Sequence, residues 1–384
     1  MASNDRLPLF MKYPIFLCLL CISLSTCTSP APPPRVSPLV FVGTYTQKLG
    51  HVDGKASGIY VCRLDTTNGV LTVVDSVTDL ANPSFLTLSP NKTRLYAVGE
   101  NGGKPDQPFG SVAAYQVSPG GKLLKINEVP SYGVAPCHIS TDLLGLFVFV
   151  ANYASGNVLS YGIRPDGSLT DSLSCRQHPG KHPWAHQVLT SPDNSLLWAV
   201  DKGTDQVFAY ALDTIGRLSS LATLPLPKGA GPRHLDFCPA DPTLMAVINE
   251  LSSSVFTFRF DPQTKLFARL DSCSTLPTGF SEKNTCADLH FHPNGRFLYG
   301  SNRGHDSIVI YEVDPATGRL TLIGHQAAGG AMPRNFMLTP DGKWMLVAHQ
   351  NSSTVAAFRV DAATGRLTPT GPPSRIATPV CLKM

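Results

Sequence analysis

The chain has 384 residues, 42% hydrophobic and 15% charged, a balance ordinary for a globular protein and ample for a large core. Its formal net charge is +4. That charge is too small and too dispersed for nucleic acid or for a polybasic membrane patch, so neither partner class is expected.

Lys12 precedes an apolar run from Tyr13 to Leu24, too short to span a bilayer as a helix. A basic flank, a short apolar run and small residues predict a secretory signal over residues 1–27, and so export to the periplasm or the cell envelope. Leu24-Ser-Thr-Cys27 is similar to the bacterial lipoprotein box, with Thr26 where Gly, Ala or Ser is usual. Cys27 is therefore the candidate lipidation site, through which the mature protein would be anchored to a membrane. Residues 28–38 read as a Pro-rich linker. Losing Arg6, Lys12 and Asp5 with the leader takes 31 basic and 27 acidic residues to 29 and 26, a net of +3. Three of the ten cysteines (Cys18, Cys21, Cys27) belong to the leader. The remaining seven are scattered and show no zinc-type spacing.

From residue 39 onward the sequence is periodic. Leu39-Val-Phe-Val-Gly-Thr reads as a strand without a partner before it, and Gly58-Ile-Tyr-Val-Cys as the next. Seven short segments then repeat one pattern: Asn82-Pro-Ser-Phe-Leu, Ala135-Pro-Cys-His-Ile, Trp184-Ala-His-Gln-Val, Gly231-Pro-Arg-His-Leu, Thr285-Cys-Ala-Asp-Leu, Met332-Pro-Arg-Asn-Phe and Thr378-Pro-Val-Cys-Leu. Their anchors Leu86, Ile139, Val188, Leu235, Leu289, Phe336 and Leu382 recur every 46 to 54 residues, the period of a propeller or solenoid. After each comes a turn such as Ser191-Pro-Asp-Asn or Thr339-Pro-Asp-Gly, then an apolar strand such as Phe147-Val-Phe-Val. A more alternating strand follows, such as Ser307-Ile-Val-Ile-Tyr, and then a weaker outer one such as Leu320-Thr-Leu-Ile. The last segment has no strand after it, so it completes the first blade. Residues 39–384 are thus predicted to be an all-β, seven-bladed β-propeller, four antiparallel strands per blade, closed by the C-terminal strand.

Strand direction locates the chemistry. The start of each inner strand and the end of the second strand meet at one rim of the central channel. That rim collects Cys137, His186, Arg233 and Arg334 after the Pro positions, His138, Gln187, His234, Asp288 and Asn335 after those, and Glu100, Tyr153, Lys202, Glu250, Arg303 and Gln350 at the second-strand ends. Apolar strands ending in a ring of ionisable groups mark the default site for binding or catalysis.

Gly231-Pro-Arg-His-Leu, Asn249-Glu-Leu, Ser301-Asn-Arg, Phe41-Val-Gly-Thr-Tyr-Thr and the closing Pro379-Val-Cys-Leu-Lys resemble the seven-bladed lactonase family, which holds propeller-type 6-phosphogluconolactonases and fungal carboxy-cis,cis-muconate cyclases. The resemblance implies a His, two Arg and a Glu as the active site, which fall on His186, Arg233, Arg303 and Glu250. Opening a lactone needs water deprotonated, an oxyanion stabilised and the ring oxygen protonated, for which Glu250 is expected as general base, Arg233 and Arg303 as holders of the substrate anion and the oxyanion, and His186 as the acid for the leaving oxygen. His138, His234, Arg334 and Gln350 are the further substrate-binding candidates. Asp288 stands where relatives carry a longer Glu. The activity implied is hydrolysis of a sugar lactone, in carbohydrate metabolism, by a monomer without metal or cofactor. An exported location favours an unphosphorylated substrate. Two alternatives stand beside it: a non-catalytic exported propeller that binds a ligand or partner, and a muconate-type cyclase, which makes the same bond in reverse.

Overall fold

Turns of a few residues join successive strands, so each repeat has no route but to fold back on itself as an antiparallel sheet. A computed structural model describes residues 37–384; the predicted signal sequence, Cys27 and most of the Pro-rich linker lie outside the described residues. Numbered by their inner strands, blades one to five begin at Leu86–Leu88, Pro136–Thr141, Ala185–Thr190, Pro232–Cys238 and Thr285–Phe291, and each takes four consecutive strands. Blade six begins at Pro333–Leu338. Its outer strand is broken into Leu367–Pro369 and Ser374–Arg375, both paired with Thr354–Val360.

Blade seven closes the ring as the sequence predicts. Its order is Pro379–Lys383, Leu39–Thr44, Ile59–Leu64, Leu71–Val77. The two ends of the chain meet in the register Phe41 with Lys383, Val42 with Leu382 and Gly43 with Cys381.

Burial follows position in the blade. The second strands Phe147–Asn152, Phe297–Arg303 and Trp344–His349 are buried at every residue, because neighbouring blades cover both faces. The outer strand Leu169–Gln177 alternates, as one face meets water. The core is therefore distributed between blades. Trp198 of blade three, for example, packs with Met245, Val247, Phe256 and Phe258 of blade four.

Inner strands of adjacent blades do not pair with one another, so their buried N–H groups need other acceptors. Side chains at the channel supply them. Gln187 Oε1 accepts from Leu235 N at 2.6 Å, Asp288 Oδ2 from Phe336 N at 3.1 Å, and Asn335 Oδ1 from Leu382 N at 2.7 Å. Cys381 Sγ takes Leu86 N at 3.4 Å, and His138 Nδ1 takes Val188 N at 3.5 Å. Every one of these donors is the hydrophobic anchor of the next repeat, so five of the seven blades fix the height of a neighbour. The cysteines of the described residues are all free thiols.

One element lies outside the repeat. Lys48–Leu49 pairs with Val52–Asp53 as a small hairpin inserted between the first two strands of the chain.

Candidate active site

The turns into five of the seven inner strands carry a backbone conformation with a purpose. Asn82, Ala135, Gly231, Met332 and Thr378 each precede proline, yet their φ values are 47°, 56°, 62°, 61° and 40°. A residue before proline is ordinarily pushed to extended conformations, and only Gly enters the left-handed region without steric cost. This geometry turns the carbonyl toward the rim. Glu100 N donates to Asn82 O at 3.0 Å, Tyr153 N to Ala135 O at 2.8 Å, Glu250 N to Gly231 O at 2.6 Å and Gln350 N to Met332 O at 3.0 Å. Lys202 N is held in the same way by Trp184 O at 3.0 Å. The repeated segment thus holds the rim residues at the channel mouth.

The mouth is a cavity of about 260 Å³. Its walls include His186, Arg233, Glu250, Arg303 and Arg334 from the predicted set, together with Glu100, Lys202, Tyr153, Cys137 and His51. Glu250 sits among three cations: Lys202 Nζ at 2.8 Å, Arg233 Nε at 3.1 Å and Arg303 Nη2 at 3.1 Å. Arg233 and Arg303 are also tied to backbone, to Ala287 O at 2.5 Å and Cys286 O at 2.8 Å. Tyr153 stacks on Trp184 with ring centroids 5.9 Å apart, and the Lys202 ammonium lies over both rings. On the other side, Tyr45 donates its hydroxyl to Glu100 Oε2 at 2.8 Å and accepts from Arg334 Nη2 at 3.2 Å.

Electrostatics separate the members. Burial would raise the Glu250 carboxyl, but Arg303, Arg233 and Lys202 together outweigh it and hold it down, at about 2. Burial, reinforced by Arg233, pushes His186 well below the usual imidazole range, so it is neutral at physiological pH. Burial and the repulsion of Arg303 and Arg334 lower Arg233 to about 10, which still leaves it charged at neutral pH. With His51 and His186 neutral, four cations (Lys202, Arg233, Arg303, Arg334) face two carboxylates, a net of +2. Two buried polar atoms beside the cavity, Arg303 Nε and His186 Nδ1, make no hydrogen bond. Unsatisfied buried groups of this kind are rare in scaffolds and gather where ligands act.

Three predicted binding residues do not line the cavity. His138 and His234 lie beneath it. His138 packs its ring on Phe85 at 4.1 Å and serves the Val188 N–H, while His234 Nδ1 binds Asp288 Oδ1 at 2.6 Å. They belong to the ring of inter-blade bonds, and His234 backs the cavity wall, with Nε2 3.4 Å from Arg233 Nη1 and its ring centroid 5.2 Å from that of His186. Burial and Arg233 also lower His234, to about 4, despite Asp288. Gln350 reaches the site only through Arg334, whose Nη1 donates to its Oε1 at 3.3 Å. Glu250 lies where expected, but a carboxylate held near 2 is a weak proton acceptor at neutral pH, and its geometry is that of an anchor for three cations.

Sequence reasoning placed Glu100, Tyr153, Lys202 and Cys137 on this rim without assigning them to the site, and it missed His51 altogether. His51 rides on the inserted hairpin, with Nε2 3.3 Å from Tyr45 Oη. The insertion itself was the available signal, since functional residues concentrate on loops added to a rigid scaffold. Among the described residues no group of three His, Cys, Asp or Glu side chains is placed to hold a metal ion.

Comparison with known proteins gives a consistent picture. A family model described as "Lactonase, 7-bladed beta-propeller" matches residues 39–384. The chain is 33% identical to a 6-phosphogluconolactonase of Bacillus subtilis over 305 residues, 77% of this chain and 84% of the relative. It is 32% identical to a 6-phosphogluconolactonase of Pectobacterium atrosepticum over 270 residues, 70% of this chain and 77% of that one. Among solved structures, the periplasmic gluconolactonase of Pseudomonas aeruginosa superposes with a TM-score of 0.82 at 33% identity, covering 90% of this chain and 99% of its own.

Proposed function

Because the chain belongs to the seven-bladed β-propeller lactonase family, we propose that it hydrolyses sugar lactones. The observation that carries this reading is the cationic mouth of the channel, in which four cations and a neutral His186 surround a cavity of about 260 Å³. Opening a lactone needs stabilisation of the oxyanion that forms when water adds to the carbonyl carbon. Guanidinium forks match such oxygens, and their worth rises in a site withdrawn from water. Arg233 and Arg303 supply them, with Glu250 holding both in place and Lys202 beside them. His186, neutral and 5% exposed, offers a hydrogen-bonding partner that carries no charge to repel the cations.

The same net positive charge repels a metal cation, so the hydrolysis is metal-independent. The test is a lactone panel holding D-glucono-δ-lactone and 6-phosphoglucono-δ-lactone, assayed above the spontaneous rate with and without EDTA. Hydrolysis undiminished by EDTA is expected, with the unphosphorylated lactone preferred. A protein that accelerates no member of the panel overturns the reading, and activity abolished by EDTA and restored by a divalent ion overturns its metal independence.

We also propose that the protein is exported as a monomer through its residues 1–27, and that Cys27 is the anchor. The leader pattern supports this, as does the periplasmic gluconolactonase among the structural neighbours. Mass spectrometry of the protein from its native host is expected to find a mature terminus at Cys27 or Thr28; a diacylglyceryl group on Cys27 supports the anchor, and an unmodified Thr28 terminus supports export without it. An intact Met1 or Met11 terminus refutes export.

A further inference from the structure

Two carboxylates line the cavity, at equivalent places in their blades, and they are held in opposite ways. Glu250 follows the second strand of blade four, Asp241–Asn249, and Glu100 follows that of blade one, Arg94–Gly99. Glu250 spends its oxygens on three cations at 2.8, 3.1 and 3.1 Å. Among the described residues, no Lys, Arg or His nitrogen comes within 4.0 Å of the Glu100 carboxylate. Glu100 Oε2 accepts the Tyr45 hydroxyl at 2.8 Å, and Oε1 accepts no hydrogen bond from the described residues.

Glu100 is also well oriented. Its N–H is fixed by Asn82 O at 3.0 Å, and its own carbonyl accepts from Asn82 Nδ2 at 3.3 Å. Asn82 holds a φ of 47° to do so. Tyr45 is fully buried, and burial raises its hydroxyl well above 10, so it stays protonated and donates to Glu100. Arg334 in turn donates to Tyr45 at 3.2 Å. A candidate base held by an orienting donor, with one oxygen left for the reaction and cations across the cavity, is the arrangement that water activation requires.

We infer that Glu100, and not Glu250, is the general base, an assignment that rests on the lactone-hydrolase reading above. Glu100 takes one proton from a water in the cavity as that water's oxygen bonds to the lactone carbonyl carbon. The carbonyl π pair moves onto its oxygen, opposite Arg233 and Arg303. Collapse of this tetrahedral species restores the carbonyl and breaks the bond between that carbon and the ring oxygen. The proton on Glu100 passes to the departing ring oxygen, which leaves as a hydroxyl. Lactone and water are consumed, a hydroxy acid is formed, and Glu100 returns to its carboxylate state.

The test is a set of variants assayed beside the wild type. Glu100→Gln is expected to lower kcat by about 10²- to 10⁴-fold at nearly unchanged KM and melting temperature. In Glu100→Ala, added formate is expected to recover part of the lost rate by replacing the missing carboxylate. Glu100→Asp keeps the charge but withdraws it by one methylene, and should fall between wild type and glutamine; it remains readable should the glutamine variant not fold. A folded Glu100→Gln with wild-type kcat, Glu100→Asp at full rate, or a slow Glu100→Ala without any formate rescue overturns the assignment. In those cases an active wild type leaves the hydrolase reading standing. A wild type that accelerates no lactone overturns both.

Discussion

Truncating the chain after Arg375 is expected to abolish the soluble, cooperatively folding protein. The deletion removes Pro379–Lys383, the inner strand of blade seven, whose Val380, Cys381 and Leu382 are 2%, 0% and 1% exposed. Ile376, 3% exposed, goes with them. Three large aliphatic side chains at about 1.5–3 kcal/mol each account for roughly 5–9 kcal/mol. That is most of the about 5–15 kcal/mol by which a typical domain is stable. The loss also uncovers the Leu39–Thr44 edge and leaves Asn335 Oδ1 and the Leu86 N–H without their partners. An open sheet edge beside an apolar face is an aggregation site. Size-exclusion chromatography and thermal melting are the measurements. A truncated protein that remained monomeric with unchanged melting would show that the ring does not depend on this closure.

Replacing Glu250 by Gln is expected to cost stability more than it costs the chemical step. The substitution leaves Lys202, Arg233 and Arg303 facing one another, the two arginines buried, with their common counter-charge gone. Removing one partner of a buried ion pair costs about 3–5 kcal/mol. With roughly 2.1 cal/mol/K of unfolding entropy per residue, a 3 kcal/mol loss lowers Tm by about 4 °C in a protein of this size. KM should rise, because the two guanidinium groups lose the contact that aims them, while kcat falls by less than in Glu100→Gln. The sign with pH follows from the same pairing. A carboxyl lowered in the folded state stabilises above its unfolded value and loses that contribution as pH falls toward about 2. The wild type should therefore lose this part of its stability in strong acid, and the variant should have none to lose. Melting temperature and lactonase rate measured on one sample decide it. An unchanged Tm with kcat down by about 10²- to 10⁴-fold would return the base to Glu250.

The sequence alone determined the architecture. Seven anchors at intervals of 46 to 54 residues, apolar second strands and an unpartnered first and last strand specify a closed seven-bladed ring, because inner and second strands must meet at one rim. The same argument placed His186, Arg233, Glu250, Arg303 and Arg334 at the mouth, where they are found. What it did not separate was the cavity wall from the layer beneath. His138 and His234 differ from Cys137 and Arg233 by one residue, and the register irregularity at Cys137 and Arg233 that sets the pairs apart has no signature in the sequence. His51 was hidden because an insertion has no counterpart in the other repeats from which its place could be read. The roles of the two glutamates were hidden for a different reason. Glu100 and Glu250 occupy equivalent positions, and nothing local distinguishes them. Only the assembled ring brings Lys202, Arg233 and Arg303 around one carboxylate and a neutral Tyr45 against the other. The Glu250 carboxyl is held down by cations within a few ångströms, and those cations come from blade four and its two neighbours, which only the closed packing of blades brings together.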